Sequence, residues 1–246
     1  GPSHMQDFVQ LWVYLSSTPL FGLTAPIVTY VLAQALYLRL GQAPWANPVM
    51  LSVAALAAVL LATGTAYPTY FAGAQFIHFL LGPAVVALGW PLWQRRAALR
   101  ARWGRLVLAS LAGGTAAAAS AVGLGWALGL PGDVLMSLAP KSVTAPVAMG
   151  VAAQIGGVPA LAAVFAALTG MVGALSARWL FGLMRLPTDA EGMALRGFAL
   201  GTASHGIGAA HAMQVNADAG AYAGLALGLQ VVLAAVLMPL VFRLFL

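Results

Sequence analysis

From Val134 to Ile155 the chain runs for twenty-two residues with a single charged side chain, Lys141, and Pro140 and Pro146 bracket it. Each proline lacks a backbone N–H and disfavours helix in the residue before it, so this run cannot be one smooth helix and is expected to break near Lys141. At membrane depth a break is tolerated only where the freed backbone is buried in protein or lines a wet cavity, and a charge there marks a candidate functional site. After the break Thr144 is placed to cap, and Pro146 to open, a new helix whose N–H groups beside a cationic side chain suit a carboxylate. A second reading keeps Lys141 near the surface, reaching headgroups or pairing with Asp133.

The membrane setting follows from composition: 62% of residues are hydrophobic and 7% charged, against about 25% charged in an average soluble domain. The chain is expected to be an all-α, polytopic transmembrane protein in a lipid bilayer. It has no cysteine, which excludes disulfides, thiolate metal sites and cysteine nucleophiles. A net charge of +6 would suggest nucleic acid in a soluble protein, but five of the eleven basic residues lie between Arg95 and Arg105. They read instead as an orientation signal beside a span, so no nucleic-acid partner is expected. Gly1 to Met5 reads as a protease-and-cloning remnant with Met5 the expected native start. Gln6 to Ser17 has no basic flank, so no cleavable signal peptide is expected.

About seven to nine membrane segments are expected. Phe8 to Leu40 exceeds the roughly 20 residues of one span and divides into a short leading segment and a span over about Leu20 to Leu40. Gly41 to Asn47 reads as a loop, Pro48 to about Ala66 as a span, Tyr67 to Gln75 as a short turn, and Phe76 to Trp93 as a third apolar segment cut by Gly82-Pro83 and Pro91. Gln94 to Arg105 is the basic loop, with Trp90, Trp93 and Trp103 as interfacial anchors, and is assigned to the cytoplasm. Leu106 to Leu130 crosses outward and Pro131-Gly-Asp133 turns. After the broken Lys141 segment come a span over Pro159 to Met184 and a polar joint with Arg185, Asp189, Glu191 and Arg196. Phe198 to Gln214 is too rich in glycine and small polar groups for a plain helix. Asn216-Ala-Asp218 is a turn, and Ala221 to Leu246 the last span.

The halves parallel each other, and residues 5–130 and 131–246 are read as two repeats after a remnant at 1–4. Thr24-Ala-Pro-Ile-Val28 matches Thr144-Ala-Pro-Val-Ala148, Pro48 matches Pro159, and Phe79, Gly82, Ala84 and Gly89 match Phe198, Gly201, Ala203 and Gly208 at one constant offset. If residues 134–155 dip into the membrane and return, the joint holding Arg185 and Arg196 is cytoplasmic and so is Arg243; full crossing would put the joint outside. The excess of basic residues on the cytoplasmic side favours re-entry, and re-entry makes the repeats inverted, the plan of secondary transporters with broken helices at the centre.

Candidate binding residues are Lys141, Ser142, Thr144 and Pro146 in the first broken segment and Thr202, Ser204, His205, Gly206 and Gly208 in the second. Ser204 and His205 offer a hydroxyl and an imidazole, and Gly206 and Gly208 would let backbone N–H groups approach a ligand. His205 is also the candidate for proton coupling; the other reading makes it a neutral packing residue and the glycines close-contact positions. His78 is expected at an interface. His211 follows His205 by two turns, but with no acidic partner no metal site is expected. Adjacent Ser204 and His205 without an intramembrane carboxylate do not make a hydrolase, so neither enzyme activity nor a cofactor is expected.

Three stretches, Leu138-Ala-Pro-Lys-Ser-Val-Thr-Ala-Pro146, Ile155-Gly-Gly-Val-Pro159 with Thr169-Gly170, and Gly197-Phe-Ala-Leu-Gly-Thr-Ala-Ser-His-Gly-Ile-Gly208, closely resemble the LrgB/CidB family of bacterial membrane proteins. Ser17-Thr-Pro-Leu-Phe-Gly22, Asn47-Pro48 and Phe79-Leu-Leu-Gly-Pro-Ala84 extend the likeness over nearly the whole chain. Thr-Ala-Pro and Ala-Ser-His stand where members often carry Thr-Thr-Pro and Ser-Ser-His, a loss of two hydroxyls. The resemblance implies a multi-pass protein of the bacterial cytoplasmic (inner) membrane. It implies one of two roles: an antiholin- or holin-like control of murein hydrolase activity and lysis with a small LrgA/CidA-type partner, or movement of small carboxylates such as pyruvate, glycolate or glycerate. A homo-oligomer, expected as a dimer, goes with either. A lone lysine between broken segments favours a monocarboxylate carrier over a pore, which needs a wettable helix face.

Overall fold

The computed structural model describes residues 19–80, 83, 90, 93 and 96–245. The expected leading segment at Phe8 to Ser17 and most of the third apolar segment, including Gly82, Ala84, Gly89 and Pro91, lie outside the described residues. Those described form nine α-helices and one short 3-10 turn, with no strand among them. Among the described residues, four helical stretches are long and apolar enough to cross a membrane: Pro19–Arg39, Arg100–Ala127, Pro159–Leu183 and Ala217–Leu244. The chain divides into two compact units, Gly1–Ala84 and Val85–Leu246.

In the first unit, α1 (Pro19–Arg39), α2 (Pro48–Thr63) and α3 (Tyr67–Phe79) pack by close approach. Gly22 of α1 meets Gly73 of α3 so tightly that a side chain on Gly22 would lie 2.8 Å from the Ala74 nitrogen. Asn47 caps α2, its Oδ1 accepting from Val49 N at 2.9 Å, and Gly64 closes the helix in the left-handed conformation. Two expectations are corrected here. Tyr67 to Gln75 is helix rather than turn, because Pro68 occupies a first-turn position where its missing N–H costs nothing. Thr24-Ala-Pro26 lies inside continuous α1, with Thr24 Oγ1 donating to Leu20 O at 2.7 Å, whereas Thr144-Ala-Pro146 begins a helix after a break.

The second unit holds α4 (Arg96–Ala127), α5 (Gly132–Leu138), α6 (Ala145–Ile155), α7 (Pro159–Leu183), α8 (Ala190–Val215) and α9 (Ala217–Phe245). The basic stretch from Arg96, expected as loop, is already helical, since alanine, leucine and arginine are strong helix formers; only Arg102 departs, at φ −127°. Trp90, Trp93 and Trp103 are exposed as expected of anchors, and Arg96 stacks over the Trp93 ring at 4.7 Å. α5 and α6 are two stems of a hairpin. Residues after α6 return beside α5: Val158 N donates to Ser137 Oγ at 2.8 Å, and a side chain on Gly157 would lie 2.8 Å from the Ser137 nitrogen. The run between Asp133 and Val158 therefore doubles back on itself.

α8 contains a second reversal. His205 has φ 42° and ψ −134°, far from helical values. A side chain on Gly208 would lie 2.7 Å from Leu200 O, although residues eight apart in a continuous helix are separated by about 12 Å. Residues 190–204 and 206–215 are thus two arms folded against each other. α9 then runs parallel to the first arm, Gly197 against Ala219 and Gly201 against Ala223 at the same spacing. The expected crossing by Phe198 to Gln214 is accordingly a return. α9 begins near Leu106 and Val107, at the Arg-rich end of α4, and finishes with Met238 and Phe242 packed against Met136, Val151 and Ile155 of the first hairpin. Arg243 therefore lies at the end opposite the Arg185 joint, not beside it, because the second broken segment adds no crossing.

Candidate functional site

The two hairpins enter the second unit from opposite ends and their tips meet beside the middle of α7. Each tip is built from local chemistry. At the first, Lys141 N donates to Leu138 O at 3.1 Å and Val143 N to Pro140 O at 2.9 Å, closing tight turns between the prolines. α6 then starts with Thr144 at its cap position, but the Thr144 hydroxyl makes no capping bond. Its carbonyl takes the N–H groups of Val147 and Ala148 at 3.0 and 2.9 Å, and Pro146 has none to offer. The start of α6 is therefore poor in free donors, and attraction for an anion falls to Lys141 and Ser142.

At the second tip, His205 is 3% exposed and its Nε2 lies 2.7 Å from Ala166 O of α7. A carbonyl only accepts, so Nε2 carries the hydrogen and donates it. α7 makes room with a stripe of small residues at helical spacing, Ala162, Ala166, Gly170, Ala174 and Ala177. Side chains on Gly170 and Gly173 would run into the His205 ring and Ser204 Oγ. The fit is backbone against tip, as expected where helices approach closely.

Between the tips lies a cavity of about 380 Å3 lined by Leu138, Lys141 and Ser142 of the first hairpin, Ala203 and Ser204 of the second, Phe165, Leu168, Thr169, Val172 and Gly173 of α7, and Ala117 of α4. Small-molecule sites run from about 300 to 1,000 Å3, so the space suits a small solute. Lys141 is half-buried and its Nζ donates to Ser142 Oγ at 3.3 Å. The pairing with Asp133 is not formed: Asp133 Oδ1 accepts from Val134 N at 2.9 Å, and Lys141 makes no ion pair among the described residues.

Of the sequence candidates, Lys141, Ser142 and Ser204 line the cavity together. Thr144 and Pro146 stand just behind the tip at the start of α6, and His205 is held against α7. Thr202 turns toward α4, its Cγ2 lying 2.7 Å from where a side chain on Gly113 would begin. Gly208 packs on Leu200 and Ser204, while a side chain on Gly206 would meet nothing within 4 Å outside its own helix backbone. His211 sits half-buried on the return arm, and His78, exposed on α3, meets the Phe71 ring edge-on at 5.6 Å. Among the described residues no group of three metal-binding side chains occurs. From sequence, Thr169-Gly170 entered only as part of the family resemblance and the α7 lining was given no site role, although the small-residue spacing from Ala162 to Ala177 marks the face that receives the tips.

The sequence model of the LrgB-like family matches residues 26–244. The chain is 31% identical over 219 residues to the uncharacterized protein YxaC of Bacillus subtilis, covering 89% of this chain and 93% of that one. It is 28% identical over 242 residues to the holin-like protein CidB of Staphylococcus aureus, covering 98% and 100%. An uncharacterized protein of Haemophilus influenzae is 32% identical over 200 residues, covering 80% of this chain and 84% of its own. No solved structure matches. With two prolines around a lone lysine, a glycine-rich second break and a family match that spans both hairpins, the chain belongs to the LrgB-like family.

Proposed function

We infer that the protein is a secondary carrier for small monocarboxylates of the 2-oxo or 2-hydroxy class, such as pyruvate, lactate, glycolate or glycerate. The observation that carries this reading is the cavity between the hairpin tips, in which Lys141, Ser142, Thr169 and Ser204 are the polar residues of an otherwise apolar lining. One half-buried cation with no carboxylate partner among the described residues favours a single negative charge, since a dianion would leave a charge unpaired. Ser142 and Ser204 supply hydroxyl contacts, and His205 exchanges the coupling proton. Hairpins that enter from opposite ends and meet tip to tip suit alternating exposure of one site. No covalent chemistry is assigned and no cofactor is required. The setting is the bacterial inner membrane and the assembly a dimer.

The test is uptake of labelled pyruvate and glycolate by vesicles reconstituted with the full chain. Saturable uptake that unlabelled monocarboxylates compete away is expected. Lys141→Ala should lower it at least tenfold, since a hydrogen bond to a charged group contributes about 1.5–3 kcal/mol. Unchanged uptake by a well-folded Lys141→Ala protein would refute the role of the lysine. A second reading rests on the name of the S. aureus relative, holin-like protein CidB: regulation of murein hydrolase export and lysis with a small LrgA/CidA-type partner. It predicts partner-dependent oligomers or dye leakage and no competable uptake.

A further inference from the structure

Thr169 lies near the middle of α7, half-buried, and lines the cavity between the hairpin tips together with Lys141, Ser142 and Ser204. A helical threonine divides between two rotamers, one of which turns its hydroxyl onto the carbonyl a turn back. Thr24, Thr29 and Thr63 take that course at 2.7–2.8 Å, and Ser176 does so on α7 itself. Thr169 does not: among the described residues its hydroxyl has no hydrogen-bond partner. Nor is it sealed inside the protein, as the partnerless hydroxyls of Ser110 and Thr202 are. Its oxygen is therefore accessible at the cavity that the residue lines.

Gly173 gives that hydroxyl a neighbour. Residues 169 and 173 stand one turn apart on one face of α7, where β-carbons are about 5–6 Å from each other. Ser204 Oγ occupies the place that a β-carbon on Gly173 would take, so it stands at a similar distance from the Thr169 β-carbon. Two O–H···O bonds of about 2.5–3.0 Å laid end to end span such a gap. One ligand oxygen can thus take a hydrogen bond from both hydroxyls. The cavity then offers two sets of polar groups: the ammonium and hydroxyl of Lys141 and Ser142 from the first tip, and the hydroxyls of Thr169 and Ser204 from α7 and the second. Leu138, Phe165, Leu168 and Val172 beside them are apolar. A monocarboxylate bound by its carboxylate at the first set brings its second carbon toward the other. An oxygen on that carbon meets the hydroxyl pair, whereas a methylene leaves both hydroxyls unpaired, and sites built to bind a substrate oxygen discriminate by that loss.

We propose that Thr169 is a specificity-determining residue, which with Ser204 reads the oxygen on the second carbon of a monocarboxylate held by Lys141 and Ser142. The assignment rests on the carrier reading, and the test separates the two. Vesicles reconstituted with the full chain take up labelled pyruvate while unlabelled lactate and propionate, which differ only in the 2-hydroxyl, compete. Lactate should compete at least about tenfold more strongly than propionate, the loss expected when a hydroxyl in the site is left unpaired. Thr169→Val keeps the shape and removes the hydroxyl, and should bring the two acids to within about threefold of each other. Thr169→Ser, which retains the hydroxyl, should keep the preference. Ser176→Ala, which removes a hydroxyl bonded to Val172 O on the same helix, should keep it too. Equal competition by lactate and propionate in the unaltered protein, or an undiminished preference in Thr169→Val, would overturn the proposal and leave the carrier reading standing. Uptake that no monocarboxylate competes away would overturn both. If Thr169→Val does not fold, Thr169→Ala is measured in its place and decides in the same way.

Discussion

His205 turns the second hairpin with a backbone conformation that side chains rarely adopt, φ 42°, although Gly206 is its neighbour. The ring explains the choice: its bond to Ala166 O ties the corner to α7 at 2.7 Å. Removing the ring tests the strain. His205→Gly and His205→Ala both lose that bond, but only alanine keeps the strained backbone, so the glycine variant should be more stable by about 1 kcal/mol in denaturant unfolding. Gly173 makes the opposite case. Gly173→Ala drives a methyl group into Ser204 Oγ and should cost about 1–3 kcal/mol by overpacking, with uptake reduced. Gly182→Ala, which meets nothing within 4 Å, is the control and should be neutral or slightly stabilising in the same melts. Lys141 was legible from sequence because a lone charge in an apolar run is conspicuous. The corner at His205 was not, since its support comes from a carbonyl 39 positions away.

At the level of elements, the first break could be read from Pro140 and Pro146, which act through their own covalent geometry. That the broken run is a hairpin depends on one hydroxyl. Ser137 Oγ donates to Asp133 O at 2.7 Å and accepts from Val158 N at 2.8 Å, joining the outgoing stem to the chain that returns. Ser137→Ala leaves the Val158 N–H without its partner. It should destabilise the protein by about 1–3 kcal/mol and open the hairpin base, detectable as faster amide exchange at Gly157 and Val158. Unaltered exchange there would show that packing alone holds the stems. The second broken element was expected to cross. Its glycines indicated irregularity but not direction, because Gly197 and Gly201 act by admitting the backbone of α9 at Ala219 and Ala223.

For the second unit as a whole, two reversals leave α4, α7 and α9 as the long helices, and this sets which polar ends share a side. The absence of cysteine in the chain makes that testable by single substitutions. Asp133→Cys and Arg243→Cys should react with an impermeant thiol reagent from one face of sealed vesicles, and Arg185→Cys from the other. Labelling of Arg243→Cys and Arg185→Cys from the same face would mean that α8 crosses. Apolar runs, proline breaks and the lone lysine were settled by the sequence alone, because hydropathy, a missing N–H and a single charge belong to the residues that carry them. The direction each broken element takes, the α7 face that receives them and the separate surroundings of Thr202 and Ser204 were decided only in the tertiary structure, because each depends on what a distant segment leaves room for or bonds to.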